Sequence, residues 1–200
     1  MIRLKAAINK DTEVSQMLMK LVSFYRLSTK VYDSMVAVRK EVEMLDAYMS
    51  LMCYRYSDII YRSEIEPGAL DIEIPNFILQ PLLENSLMHG LKDRRYQGTI
   101  ILKIYRNEQD KNELNIWLID DGIGIPDDKM AELNAYNAKD SEALYRVQTR
   151  TEGDRTHLGV INVISRLKLY YQENAEVIYM RNETGGTTVK IKIKTASEET

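Results

Sequence analysis

Gln80-Pro81-Leu82-Leu83-Glu84-Asn85-Ser86-Leu87-Met88-His89-Gly90 is the stretch from which the fold of this chain is read. Asn85 and His89 are four residues apart, so on a helix they share one face. The residues between them are mostly apolar and would turn inward. A polar pair on the rim of a buried helix is the arrangement a metal–phosphate site needs. Two glycine motifs follow, Asp120-Asp121-Gly122-Ile123-Gly124 and Gly185-Gly186-Thr187-Thr188-Val189. Each alone reads as an ordinary turn. The three in this order are hard to explain as chance.

Upstream of this stretch the chain reads as helix. Val14, Leu18, Leu21 and Tyr25 recur at spacings of four and three, and after a break near Ser28 to Ser34 a clearer seam runs through Val38, Val42, Leu45, Met49, Met52 and Tyr56. No glycine or proline precedes Pro67, in agreement with helix. The seam fits either a helix packed on its own domain or a bundle that also pairs two chains. Ile59 to Ile65 reads as a strand, and Pro67-Gly68 as a turn. Pro75 suits the first turn of the helix that carries Asn85, and Gly90 is a plausible stop for it.

Downstream, Thr99 to Arg106 and Leu114 to Ile119 alternate apolar and polar residues around the polar turn Asn107 to Asn112, which predicts a hairpin. Pro126 to Thr156 is polar and weakly periodic, the mark of a mobile functional loop with room for a short helix. Leu158 to Tyr171 is helical again. Glu176 to Met180 and Thr187 to Ile193 read as two last strands. The fold class is therefore α+β: a sheet covered by helices on one face, behind an N-terminal helical arm.

Composition narrows the function. The 200 residues carry a formal net charge of -3, so a nucleic-acid surface is not expected. Lys92-Asp93-Arg94-Arg95 is short, is interrupted by an acid, and reads as a solvated loop. Hydrophobic residues make up 44% of the chain, enough for a core. Cys53 is the sole cysteine; no intrachain disulfide can form, which favours a reducing compartment. No signal peptide is visible, and no run reaches the roughly 18 apolar residues a membrane span needs. The chain is expected to be soluble as it stands and could be the cytosolic part of something longer.

The motifs specify a chemistry. The Asn85 amide oxygen is a hard ligand suited to Mg²⁺, which prefers oxygen donors and keeps several waters. His89 could donate to a phosphate, and Glu84 could orient or deprotonate a nucleophile. Asp120 ends a strand, where a buried carboxylate can accept from an exocyclic amine such as that of adenine. Gly122 and Gly124 permit close approach of a ligand to the backbone. Gly186 and Thr187 precede the last strand, with the Thr187 hydroxyl set against a purine or a water beside it. His157-Leu158-Gly159 opens a helix whose backbone N–H groups could face a phosphate. His157 fits a pocket residue or a surface residue equally.

This order of motifs resembles the ATP-binding domain shared by sensor histidine kinases, type II topoisomerases, the ninety-kilodalton heat-shock chaperones and mismatch-repair ATPases. Within that superfamily, Ile74-Pro75, Gln80 to Asn85, His89-Gly90 and Asn162-Val163-x-x-Arg166-Leu167 resemble the bacterial sensor kinases of the LytS type, as do Glu43 to Tyr48 and Arg55-Tyr56. The likeness runs from about Leu18 to Ile193. It implies a two-layer Bergerat fold with a mixed sheet over residues 57–200, behind a dimerisation and phosphotransfer remnant over 1–56. It implies ATP and Mg²⁺ as cofactors, with Asn85 the metal ligand and Glu84 and Asn85 catalytic. Asp120, Gly122 and Gly124 would form the adenine wall, closed by Gly186 and Thr187. His89, His157, Gly159 and Asn162 would lie on the phosphate side, at the end of a lid from Pro126 to His157.

The implied partners are a response regulator and a second copy of the chain, joined through the N-terminal helices. The full-length protein is expected in the plasma membrane, with this part cytoplasmic. Three departures from the family stand out. The phosphoacceptor motif, similar to Asn-Pro-His-Phe-Leu-Phe-Asn, is missing, so this chain is not expected to phosphorylate itself there. His157 stands where the lid end has a glycine. Met88 stands where a basic residue is common. A degenerate ATP-binding or dimerisation module is the alternative these departures allow. Hydrolysis as in the topoisomerase branch fits poorly, because the position of its catalytic glutamate is Pro81.

Overall fold

Ile100, Leu102 and Ile104 alternate along one strand and are at most 1% exposed, so one face of a sheet is wholly covered while the other meets solvent. The computed structural model describes residues 15–22, 34–139, 143–144 and 155–195, the side chains of the last stretch from 159 onward. Its elements are β1 (Met35–Ala37), α1 (Val38–Arg55), β2 (Ile59–Ile65), β3 (Glu73–Pro75), α2 (Leu79–Asn85), β4 (Gly98–Arg106), β5 (Glu113–Asp120), α3 (Asp127–Ala135), α4 (Arg155–Tyr171), β6 (Ala175–Arg181) and β7 (Thr187–Lys194). Five strands form one sheet in the order β2-β4-β5-β7-β6. β2 and β4 run parallel and the other pairs antiparallel, which makes the sheet mixed. The expected hairpin is β4–β5, with Leu102 opposite Leu118.

Helices cover one face. Leu45 and Met49 of α1, Leu82 and Leu83 of α2, and Ile161, Ile164 and Leu167 of α4 share a core with Ile116, Val177 and Ile191 of the sheet. On the open face Lys103, Trp117 and Lys190 stand in register, and Lys190 Nζ lies 3.9 Å from the Trp117 ring centre, a cation–π contact. Among the described residues, no helix is long and apolar enough to cross a membrane.

The α1 seam packs into its own domain. Val38, Val42, Leu45 and Met49 are buried in the core described above. The boundary expected at residues 56 and 57 falls between α1 and β2, and the core crosses it. Glu41 ties α1 to α2: its carboxylate, 1% exposed, accepts from the backbone N–H groups of Phe77 at 2.7 Å and of Ile78 and Leu79 at 3.2 Å. These are donors at the start of α2, which has no side-chain cap of its own. Residues 15–22 are helical, and Lys20 of that segment donates to Ser50 of α1.

Several local expectations are corrected. Pro75 does not open a helix; it ends β3, which among the described residues pairs only with β1, an edge position where a missing N–H is tolerated. Phe77, at φ 56°, turns the chain before α2 starts. β1 was not foreseen, because three residues are too few for a period to show. Gly90 does not stop the helix: the chain continues from α2 as a π-helical stretch, Ser86–Leu91, and then a 3-10 turn, Lys92–Arg94. α4 begins at Arg155, before Leu158. The polar stretch after Pro126 opens with a docked helix, because Leu133 and Tyr136 are buried beneath it. Residues 140–142 and 145–154 of the expected lid lie outside the described residues.

Candidate functional site

Asp120 organises the site. It is the last residue of β5 and only 3% exposed. Ser86 Oγ donates to its Oδ2 at 2.8 Å, and the backbone N–H groups of Gly122 and Thr187 donate to Oδ1 at 3.0 and 3.2 Å. Burial pushes its carboxyl above the ordinary aspartate range; the three hydrogen bonds pull it back, and Asp121 adds to the rise. Each of the three sequence motifs thus supplies one donor to a single carboxylate.

Glycines let these segments meet. A Cβ on Gly122 would lie 2.6 Å from the backbone of Gly90, and one on Gly186 would lie 2.1 Å from the Asp120 carbonyl oxygen. Both distances are shorter than atoms tolerate, so the Asn85 segment, the end of β5 and the start of β7 pack here backbone to backbone. Ile123 N–H donates to Gly90 O at 3.1 Å, and Asn182 Nδ2 donates to Asp120 O at 2.8 Å. A Cβ on Gly90 would meet Asp120 Oδ1 at 3.1 Å, a tight contact that the carboxylate would have to yield to.

Above Asp120 opens a cavity of about 570 Å³, within the range of small-molecule sites. Asn85, His89, Asp120, Gly124 and Thr187 all line it. Residues more than a hundred positions apart in the chain are therefore brought together as the motifs imply. Gly122 and Gly186 shape the walls through the backbone contacts above. The other expected residues stand elsewhere. Glu84 is half-buried, accepts from Gln80 Nε2 at 2.9 Å and does not line the cavity. Gly159 lies inside α4, where a Cβ would sit 3.5 Å from Pro81 Cβ; it sets α4 against α2, and its neighbour Val160 lines the cavity. Asn162 is exposed. His157 lies in the first turns of α4, and its side chain is outside the described residues.

The sequence reading missed several lining residues. Ser86 stands beside Asn85, but its target is 34 residues away, a relation no local pattern reports. Lys92 and Asp93, whose sequence setting suggests a solvated loop, border the cavity, and Lys129 of α3 lines it as well. Arg94, from the same cluster, pairs with Asp121 at 3.6 Å. Met88 is 44% exposed at the rim. Leu133, Val160, Tyr179 and Val189 add an apolar lining. Among the described residues no group of three or more His, Cys, Asp or Glu side chains could hold a metal ion. The Asn85 oxygen fits an ion whose other ligands are phosphate oxygens and water, the usual manner of Mg²⁺.

Comparison with known proteins agrees with this geometry. The family model described as "Histidine kinase-, DNA gyrase B-, and HSP90-like ATPase" matches residues 71–197, and one described as "Histidine kinase" matches residues 1–60. The sensor protein LytS of Oceanobacillus iheyensis is 33% identical over 175 residues, which cover 86% of this chain and 28% of that protein. The chain thus spans under a third of the length of that relative. Among solved structures, the catalytic domain of histidine kinase ThkA superposes with a TM-score of 0.56 at 12% identity, covering 81% of this chain and 97% of that one. The histidine kinase domain of the Erythrobacter litoralis EL346 blue-light activated histidine kinase gives 0.51 at 17% identity, covering 91% and 74%. At such identities these two likenesses speak for the fold alone.

Proposed function

The chain belongs to the histidine kinase-, DNA gyrase B- and HSP90-like ATPase family, and from that premise we propose that it binds Mg–ATP in the Asn85–Asp120 cavity and transfers the γ-phosphoryl group to a histidine nitrogen, for relay to an aspartate of a response regulator. The carrying observation is the convergence of Asn85, His89, Asp120, Gly124 and Thr187 on one cavity. Asp120 accepts from the adenine amine, and Thr187 lies against the same base. Asn85 holds Mg²⁺, which supplies charge neutralisation along the phosphates. His89, Lys92 and Lys129 face the phosphates from the two sides of the cleft. The protein's part in such a reaction is positioning and charge stabilisation rather than covalent chemistry.

The acceptor is a histidine other than His89 and His157, carried on a neighbouring helix. The α1 seam is occupied by its own core, so dimer contacts fall to residues preceding α1. In the whole protein this part is cytoplasmic and the membrane anchor lies in other segments. A second reading, a nucleotide-binding module without transfer, draws on Met88, whose exposed side chain stands at the cavity rim where a base would contact phosphate.

Titration calorimetry with a non-hydrolysable Mg–ATP analogue tests the site. Wild type should bind, and Asn85→Ala should lose Mg-dependent binding while unfolding as the wild type does. A folded wild type that takes up no nucleotide would sink both readings. Binding without transfer to a supplied acceptor-helix fragment would favour the second.

A further inference from the structure

β6 is the last strand of the five-stranded sheet, and among the described residues no strand lies against its outer edge. An open edge leaves a row of backbone donors and acceptors unpaired. Here two asparagines fill it. Asn134 of α3 accepts from Tyr179 N–H at 2.8 Å and donates to Tyr179 O at 2.9 Å. Asn137, in the 3-10 turn Tyr136–Ala138 that follows α3, accepts from Val177 N–H at 3.0 Å and donates to Val177 O at 2.5 Å. A primary amide carries both the donor and the acceptor of a peptide unit, so each side chain stands in for one residue of a further strand. The spacings agree. Residues three apart advance about 4.5–6 Å along a helical segment, and residues two apart advance about 6.6 Å along a strand.

α3 depends on such ties. It has nine residues, opens without a side-chain cap and contributes Leu133 as its one buried residue. A helix this short is marginal in water by itself. β6 also holds its other end, where Arg181 Nη2 donates to Ile125 O at 3.1 Å and lies 3.5 Å from Asp127 Oδ1. From α4, Lys168 Nζ donates to the carbonyl oxygens of Asn137 and Lys139. Between these ties stand Lys129 and Leu133, which line the cavity. Glu132 links Lys129 to the anchored end: its Oε2 lies 3.1 Å from Lys129 Nζ, and its Oε1 accepts from the Tyr136 hydroxyl at 3.1 Å. The place of Lys129 at the cavity is therefore set by how α3 is fastened to β6.

We propose that Asn134 and Asn137 are positioning residues of the nucleotide site: by completing the outer edge of β6 they fix α3 as one wall of the cavity and hold Lys129 beside the phosphates. Neither asparagine touches the nucleotide. This role rests on the Mg–ATP reading above and falls to residues that none of the sequence motifs contains.

Amide hydrogen exchange tests the edge, and calorimetry tests the positioning. In wild type without nucleotide, the Val177 and Tyr179 N–H groups should exchange slowly, as paired strand amides do and those of an open edge do not. Asn137→Ala should speed exchange at Val177, and Asn134→Ala at Tyr179. Fast exchange at both positions in wild type overturns the proposal. Asn134→Ala should bind the Mg–ATP analogue about twofold to fivefold more weakly than wild type, the weight of one exposed lysine on a phosphate. In a Lys129→Ala background the same substitution should cause no further loss, because the two act through one contact. Unchanged affinity in a folded Asn134→Ala protein overturns the proposal, as does a loss that simply adds to that of Lys129→Ala; the asparagine would then serve the fold alone. Asn137→Ala, which releases Val177 instead, is the second variant should Asn134→Ala not fold, and the same pattern is expected of it. A wild type that binds no nucleotide fails the ATP-binding reading itself, whereas a wild type that binds, with additive variants, fails only the positioning role.

Discussion

Ser86 Oγ donates a 2.8 Å hydrogen bond to Asp120 Oδ2, joining the segment after α2 to the end of β5 across the floor of the cleft. The other oxygen, Oδ1, is taken by the backbone N–H groups of Gly122 and Thr187. Oδ2 keeps a lone pair for an incoming amine. Asp120→Asn should preserve this framework, because the amide oxygen can keep the two backbone bonds and the Ser86 hydroxyl can rotate to accept. The amide nitrogen then presents a donor where adenine also presents one, while guanine presents an acceptor. The preference for ATP over GTP should fall at least about tenfold, by loss of the favourable pair and gain of a repulsive one. Competition between the two nucleotides measures it, and an unchanged ratio would remove Asp120 from base recognition.

The same residue sets a pH dependence of the unliganded protein. Burial raises the Asp120 carboxyl above its ordinary value, so the native state holds its proton more tightly than the unfolded chain does. Its contribution to stability is then full below about pH 3.9, the unfolded value, and is lost as pH rises through the raised native value. Asp120→Asn has no such loss. The stability of the variant relative to wild type should therefore improve from about pH 4 upward and then level off. Urea midpoints across that range give the difference directly, and a trend of the opposite sign would contradict the assignment.

Much of this was legible in the sequence because it rests on short-range rules. Alternation located β4 and β5, the 3-4 spacing located α1, and the glycine motifs located the turns that crowd around Asp120. What was not legible depends on partners distant in the chain. Pro75 reads as a helix start because nothing local reveals that β3 pairs with β1. Gly90 reads as a helix stop, yet its missing side chain leaves room for the Asp120 carboxylate, 30 positions on. Lys92 reads as part of a solvated loop, and Lys129 stands in a stretch without a clear period; only the fold brings both to the border of the cavity.

Glu41 and Leu79 illustrate the same limit and carry a prediction. Glu41 lies outside the apolar seam of α1, yet its carboxylate is buried and caps α2 through Phe77, Ile78 and Leu79. Glu41→Ala leaves three N–H groups without their acceptor. The expected loss is about 2–4 kcal/mol in urea unfolding, more than one ordinary cap and less than three independent buried orphans. Glu41→Gln keeps one oxygen acceptor and should lose less. Equal stability of all three proteins would show that the contact does not anchor α2.

Lys92 separates phosphate recognition from base recognition. It follows the π-helical stretch, is exposed, and borders the cavity with Lys129 on the facing helix. An exposed lysine acts on a phosphate as a screened point charge, worth a small factor at physiological salt. Lys92→Ala should therefore weaken ATP binding about twofold to fivefold at 0.15 M salt, and by more as ionic strength falls. Adenosine, which has no phosphate, should bind the variant as it binds wild type. Lys129→Ala should act in the same sense, and the double variant should combine the two effects if each lysine meets the phosphates separately. An equal loss for ATP and adenosine would mean that Lys92 shapes the pocket rather than contacting phosphate.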